Sequence, residues 1–407
     1  MTIQEQAINN VVPFYNSSSQ LLDYYEGISV DDILTGKSVS LQVLGRRESR
    51  KIPPIISLAK PKDAKEVVNI YKELYNGTYP YKEMLNEQEV KKMIHDSDSE
   101  WIFFKDPLGD IAGCVTFILD FGNKKGYIRG FMLKKEHQGR IDIVKSFVTS
   151  MLVMLSMYED KILVWYVENR TAHAKSQYSM WICGFRTVAF YPNKDVFLNK
   201  VESDIMQILY SESALGKYRS KEHPKIIPEA YNCYLYSDKN YGLGPIKLVN
   251  PELNLDPILL EKASNSLYSE IVKDRYGYEQ ISFFIKDSDS YFKFLYTPTV
   301  QNFEKTRYKV KNLEELYVFA QKFKQFGKIR NIRYCETFIS AYEPEHQKIF
   351  QIIGLSPRGY IPSWNFNRKK GFFEDHILFN RFEGKINENI QLLPEGRELL
   401  NYLNLSV

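Results

Sequence analysis

The chain has 407 residues, which at about 150 residues per domain predicts two or three domains, each with its own core. With 44% hydrophobic and 26% charged residues, the composition is that of an ordinary globular protein and argues against disorder. The 54 Lys+Arg against 50 Asp+Glu leave +4 with no concentrated basic stripe, so no nucleic-acid partner is expected.

Cys114, Cys183, Cys233 and Cys335 stand singly, with no CxxC pair and no His at ligand spacing. No metal is expected, and a reducing, cytoplasmic setting is. The opening MTIQEQAINN lacks the charged-then-apolar layout of a signal peptide. The most apolar run, Phe147 to Met157, is far short of a membrane span, so no membrane association is expected.

In chain order, residues 1–54 read as an extension ending at the Pro53–Pro54 break. An apolar strand from Ile55 leads into a helix whose inner face carries Val67, Ile70, Tyr71 and Leu74. After Asn76-Gly77 a second helix runs to about Ile94. Strands follow at Trp101 to Phe104 and Ile111 to Phe121 around the turn Asp106-Pro107-Leu108-Gly109-Asp110, then at Lys125 to Leu133. A polar turn opens a long helix at about 141–158. A strand at Lys161 to Val167, a helix from about Thr171 to Cys183 and a strand at Arg186 to Tyr191 complete an α/β block over 55–200, in the order βααβββαβαβ. Residues 201–250 read as a linker. The second block, 251–407, is expected to hold a helix at Leu253 to Tyr276, strands at Tyr291 to Tyr296 and Lys305 to Val310, and a helix near Leu313. A strand at Asn331 to Ser340, a helix at Pro344 and a strand at Ser356 to Ile361 follow.

The two blocks echo one another. Gln177, Gly184 and Pro192 repeat at the same two intervals as Gln347, Gly354 and Pro362. A helix closed by a glycine and leading straight into a strand requires this punctuation, so a duplicated strand–helix–strand ending is expected.

Several features then act together: the first helix running into Tyr79-Pro80-Tyr81, the strand Gly130-Phe131-Met132-Leu133 leading into Gln138-Gly139-Arg140, and the helix His173-Ala174-Lys175-Ser176-Gln177 ending in Gly184-Phe185. On these, the first block resembles the GNAT (Gcn5-related N-acetyltransferase) superfamily, and the second resembles the C-terminal half of the same fold. The resemblance implies an α/β (α+β) architecture of two mixed-sheet domains in tandem, the second degenerate. It also implies acetyl-CoA, or another acyl-CoA, as co-substrate.

By the resemblance, the coenzyme would lie along Phe131, Met132 and Leu133, with its diphosphate at Gln138, Gly139, Arg140 and Ile141. A helix mouth suits a diphosphate because its amides and dipole converge there. Ile141 and Ile143 stand where the superfamily places small residues. The second helix mouth, Lys311-Asn312-Leu313-Glu314-Glu315, offers carboxylates instead and is expected not to take the coenzyme.

Asn169, His173 and Ser176 are further candidate contacts, with capping or first-turn roles as the alternatives. Glu168 and Asp120, at strand ends, are the candidate general bases. Tyr178 is the candidate acid, because Met180 occupies the family's tyrosine position. Tyr79 and Tyr81 either line the acceptor site or pack in the core. The expected activity is acyl transfer to a primary amine of a small molecule or peptide. A catalytically inactive GNAT-like scaffold and a longer-chain acyl or aminoacyl transferase are the alternatives.

Overall fold

The computed structural model describes residues 14–15, 18–22, 25, 29–39, 41–42 and 49–406. The opening MTIQEQAINN and, within the extension, Arg46, Arg47 and Glu48 lie outside the described residues. The strands are β1 (Phe14–Tyr15), β2 (Ile55–Leu58), β3 (Ser99–Lys105), β4 (Ile111–Asp120), β5 (Lys125–Leu133), β6 (Val164–Arg170), β7 (Arg186–Phe197), β8 (Lys200–Ser211), β9 (Lys225–Ile226) and β10 (Lys247–Leu248). They continue with β11 (Leu267–Lys273), β12 (Glu279–Ile285), β13 (Tyr291–Thr297), β14 (Asn302–Lys309), β15 (Tyr334–Ser340), β16 (Ser356–Asn367) and β17 (Phe372–Phe382).

Local chemistry accounts for the punctuation. Asp106 Oδ1 accepts from the amides of Leu108 and Asp110, and Gly109 takes φ +90 to close the β3–β4 turn. Asn76 ends the helix Ala64–Tyr75 in the left-handed conformation.

The main sheet has a two-fold plan. One half runs β2-β3-β4-β5-β6-β8-β7, the other β11-β12-β13-β14-β15-β17-β16, and the two join edge to edge at Gly359 opposite Ala189. Along each path a single neighbouring pair is parallel: β5 with β6, and β14 with β15. A crossover helix makes each connection, Ile143–Tyr158 in the first half and Leu313–Ile329 in the second.

Three sequence expectations are corrected. The first half continues past residue 200, because β8 inserts between β6 and β7. The helix expected at Leu253 to Tyr276 is the shorter helix Pro257–Ser266 followed by edge strand β11, whose exposed alternation gives little periodic signal. The second half repeats the whole seven-strand path and not its C-terminal part alone. A direct β11–β12 turn replaces the two helices, Ala64–Tyr75 and Glu87–His95, that separate β2 from β3.

The echoed glutamines explain how the halves hold together. Gln177 is fully buried and donates Nε2 to Arg170 O (3.3 Å) and Gln391 O (2.9 Å), while its Oε1 accepts from the Leu393 amide. Gln347 repeats this, donating to Ser340 O (2.9 Å) and Lys225 O (3.0 Å) and accepting from the Ile227 amide. The segment that follows each half thus docks on the other half's glutamine, forming a reciprocal clasp.

Beneath the sheet, Tyr15, Leu21, Tyr25, Ile33, Val39 and Leu41 pack with the helices Ile143–Tyr158 and Lys175–Ile182 in one core. The helix Ala64–Tyr75 covers the opposite face. The four cysteines are buried thiols, and burial pushes Cys114 up to about 12 and Cys335 up to about 11. Among the described residues no helix is long and apolar enough to cross a membrane, and no His, Cys, Asp or Glu group gathers as a metal site.

Candidate active site

Strands β5 and β6 pair only from Lys125 opposite Val164 to Ile128 opposite Val167, then part. At the parting, β5 carries a bulge between the pairs Thr116–Arg129 and Cys114–Met132, with Gly130 at φ +61. A side chain at Gly130 would come within 2.5 Å of the Tyr71 hydroxyl, so glycine is required for space as well as conformation. Beyond the bulge, Lys134 donates to Ala112 O (2.8 Å), which by antiparallel alternation turns the backbone of Leu133 away from β4. Gln138 Nε2 donates to Leu133 O from that open side (3.2 Å).

Side-chain alternation sorts the two faces. Trp165 and Val167 lie in the core beneath the helix Ile143–Tyr158, so Tyr166, Glu168 and Arg170 project to the opposite face. There Tyr127 stacks on Tyr166 with ring centroids 4.8 Å apart, and Arg170 sits over Phe197 and forms a bidentate pair with Glu202.

Lys194 from β7 enters this face and is 2% exposed. Its Nζ lies 2.9 Å from Glu168 and 3.2 Å from Glu336 of the second half. Burial pushes the Glu336 carboxyl up to about 7 against the opposing pull of Lys194. Asp195 and Asp204, both buried, share a hydrogen bond, and burial raises both carboxyls. Tyr81, on the chain between the two outer helices, faces Asp195, Glu304 and Lys194.

The helix mouth after Gly139 is already engaged. The helix begins at Ile143, two residues later than the periodicity predicts. Asp142, fully buried, caps it by accepting from the Lys145 amide (3.2 Å). The amide of Asp142 donates to Ile52 O (3.0 Å), those of Arg140 and Ile141 to His137 O, and that of Gln138 to Lys135 O. Ile141 is buried against Ala112 and Leu133. Lys134 pairs with Glu66 (3.5 Å), and the Lys135 amide donates to Glu73 (2.7 Å). Gly139 and Arg140 are exposed, and Gly139 takes φ +83. In the second half Asn312 accepts from the Glu315 amide, and Glu315 accepts from the Lys311 amide.

The fold therefore gathers Glu168, Tyr79 and Tyr81 on one face, with Phe131, Met132 and Leu133 along the adjoining strand. Others fall elsewhere. Asp120 closes the β4–β5 turn, accepting from the Asn123 amide and Nδ2 at the far end of β5. Tyr178 stacks on Trp181 in the core of the opposite face, away from Glu168. Asn169 is buried and donates to Gln207 (2.7 Å). The helix expected from Thr171 begins at Lys175, which leaves His173 in the exposed turn before it and Ser176 in its first turn.

Lys194, Asp195, Asp204, Tyr191 and Glu336 escaped the sequence reading. The one signal, and only for the first two, was the adjacent Lys194-Asp195 pair in the mostly apolar run from Thr187 to Phe197.

No family model and no curated protein matches the chain. Among solved structures it is similar to a spermidine N-acetyltransferase from Vibrio cholerae in complex with CoA and spermine, at 15% identity over 39% of this chain and 95% of that one, with TM-score 0.34. It is also similar to the microcin C7 self-immunity acetyltransferase MccE in complex with acetyl-CoA and AMP, at 19% identity over 40% of this chain and 93% of that one, with TM-score 0.31.

Proposed function

We propose that the protein is an acyl-CoA-dependent N-acyltransferase that moves an acyl group, most simply acetyl, to a primary amine lodged between the two halves. The observation that carries this is the fork itself. The open edge of β5 at Leu133 offers main-chain pairing for an extended thioester arm, and Glu168 stands just past the parting on the facing strand β6, on the face that meets the second half.

In this reading Glu168 takes a proton from the acceptor ammonium, while Lys194 and Glu336 hold its carboxylate in place. The freed amine forms the C–N bond, a β5 amide near Leu133 receives the developing oxyanion, and the C–S bond breaks. The departing thiolate takes up the second proton, which the nitrogen sheds on becoming an amide, and the first passes from Glu168 to solvent. Tyr178, on the other face, has no part in that step. The exposed turn Gln138–Arg140 is the proposed place of the diphosphate, and the proposed setting is the cytoplasm.

One specific observation favours a second reading, an amine-binding protein without transferase activity. Asp142 places a carboxylate at the helix mouth, and Ile52 occupies its amide. Calorimetry with coenzyme A, acetyl-CoA and longer acyl-CoAs separates the two readings. The transferase reading expects saturable binding that is lost in Gly139→Trp. Absence of binding by every acyl-CoA would establish the second.

A further inference from the structure

Far from the fork, β11 ends the main sheet, and among the described residues no strand pairs with its outer side. Six of its seven residues are exposed. Its pairing with β12 runs through consecutive residue pairs from Leu267–Ile285 to Lys273–Glu279 without a bulge. The Lys286 amide donates to Ser266 O (2.9 Å) at one end, and the Asp274 amide donates to Tyr278 O (2.9 Å) at the other. Antiparallel alternation between these two bonds commits the even-numbered residues of β11 to β12, so the N–H and C=O groups of Ser269, Ile271 and Lys273 point off the sheet.

Natural edge strands are blunted by proline, bulges or charge. This one has neither proline nor bulge, and Tyr268, Ile271 and Val272 are exposed apolar residues on it. β2, at the opposite end of the sheet, has a single exposed residue of four. The β11–β12 hairpin is also held in place at its turn, where the Tyr278 hydroxyl donates to Glu83 (2.9 Å) and accepts from the Lys82 amide (2.7 Å). Ile271 lies opposite Ile281, on the face that carries the core of the second half. The helix Pro257–Ser266 covers that face through Leu260 and Ala263, and leaves Ile258 and Leu259 exposed.

The order of charges along the strand selects a second copy of this chain as the occupant. Two copies paired antiparallel about a two-fold axis oppose residue i to a residue of the same parity, because directly opposed side chains share a face. With the axis at Ile271, the two Ile271 residues meet, Ser269 opposes Lys273, Glu270 opposes Val272 and Tyr268 opposes Asp274. The outward amides and carbonyls then pair with one another. Other centres fail: Glu270 and Lys273 would each face their own like charge, and Val272 as centre would set Glu270 against Asp274. Ser269 as centre would carry Lys273 of the other copy alongside Asn265, inside the helix Pro257–Ser266.

We propose that β11 pairs antiparallel with β11 of a second copy about a two-fold axis at Ile271, giving a closed dimer whose main sheet runs through both chains. Nothing in this depends on turnover, so the transferase reading can fail without it. Sedimentation velocity of the full chain at micromolar concentration is expected to give twice the chain mass, and Ile271→Pro a single chain. That proline removes only an outward N–H, so the bonds to β12 remain and the circular dichroism should not change. A monomeric wild type, which would leave the edge to some other extended segment, overturns the proposal. So does a dimer that persists in folded Ile271→Pro.

Should Ile271→Pro fail to fold, the register itself is open to test. Two copies of Ile271→Cys are expected to join under mild oxidation, since opposed Cα atoms about 5.5 Å apart lie within reach of a disulfide. Val272→Cys, displaced from the axis, should join at least about tenfold more slowly. The native thiols are buried and do not compete. Equal rates at the two positions, or no cross-link at Ile271→Cys, would overturn the pairing.

Discussion

The Lys194 ammonium reaches Glu336 across the boundary between the two halves at 3.2 Å while holding Glu168 of its own half at 2.9 Å. A buried ion group of this kind adds little net stability compared with apolar residues of the same shape, but removing one member strands the others. It ties the two halves together and holds Glu168 on the face that meets the second half.

Lys194→Met leaves the buried Glu336 and the half-buried Glu168 carboxylates with no ammonium between them. A loss of about 3–5 kcal/mol in unfolding free energy is expected at pH 7.5. The loss should shrink at pH 5, where Glu336 is protonated. Denaturant titration at both pH values checks this, and equal losses would count against a charge origin.

Glu336 in the wild type gives a pH dependence of defined sign. Burial raises its folded carboxyl from 4.5 to about 7, so the folded state binds more protons than the unfolded one between these values. Its contribution is therefore fully present below about pH 4.5 and is lost as pH rises through 7, by roughly 3 kcal/mol at about 1.36 kcal/mol per pH unit. Glu336→Gln should flatten the fall in stability between pH 5 and pH 8, and an unchanged slope would assign it to other groups.

Gln177→Leu and Gln347→Leu each unmake one side of the clasp and leave a buried amide and carbonyls unpaired. Each is expected to cost about 2–4 kcal/mol, and the double variant should be near additive because the sites lie in different halves. A large loss from one and none from the other would show that the clasp is symmetric in geometry but not in energy.

Gly359→Ala tests the seam. An added Cβ would lie 2.3 Å from the Ala189 Cβ and 2.5 Å from Val188 O. Backbone on one side leaves little room to adjust, so a loss of about 1–3 kcal/mol is expected, with faster proteolytic cleavage between the halves. A melting temperature equal to wild type would mean that the seam is elastic.

Asp142→Ala separates capping from coenzyme binding. Loss of the cap is expected to cost about 1 kcal/mol. Coenzyme A should bind several-fold more tightly once the carboxylate leaves the helix mouth. If stability falls and coenzyme affinity does not change, the diphosphate lies elsewhere.

Much of the first half could be read in advance, because its helices are amphipathic and its turns carry Asn-Gly and Asp-Pro signals. The glutamine echo was legible as a repeat, but its meaning was not. Ile226-Ile227-Pro228-Glu229 and Leu392-Leu393-Pro394-Glu395, the segments the two glutamines hold, repeat one another as well and went unread. Spacing along a chain does not reveal that each segment crosses to the other half.

Local pattern alone made legible the α/β class and the repeated helix–glycine–strand punctuation, since each depends on neighbours a few residues apart; Glu168, expected just past a strand ending at Val167, lies within β6, which runs on to Arg170. The buried ion group is different. Lys194, Glu168 and Glu336 come from three strands in two halves, and their mutual contact and loss of water exist only once the sheets close on one another. Desolvation and cross-strand proximity make those side chains chemically unusual, and both belong to the packed molecule.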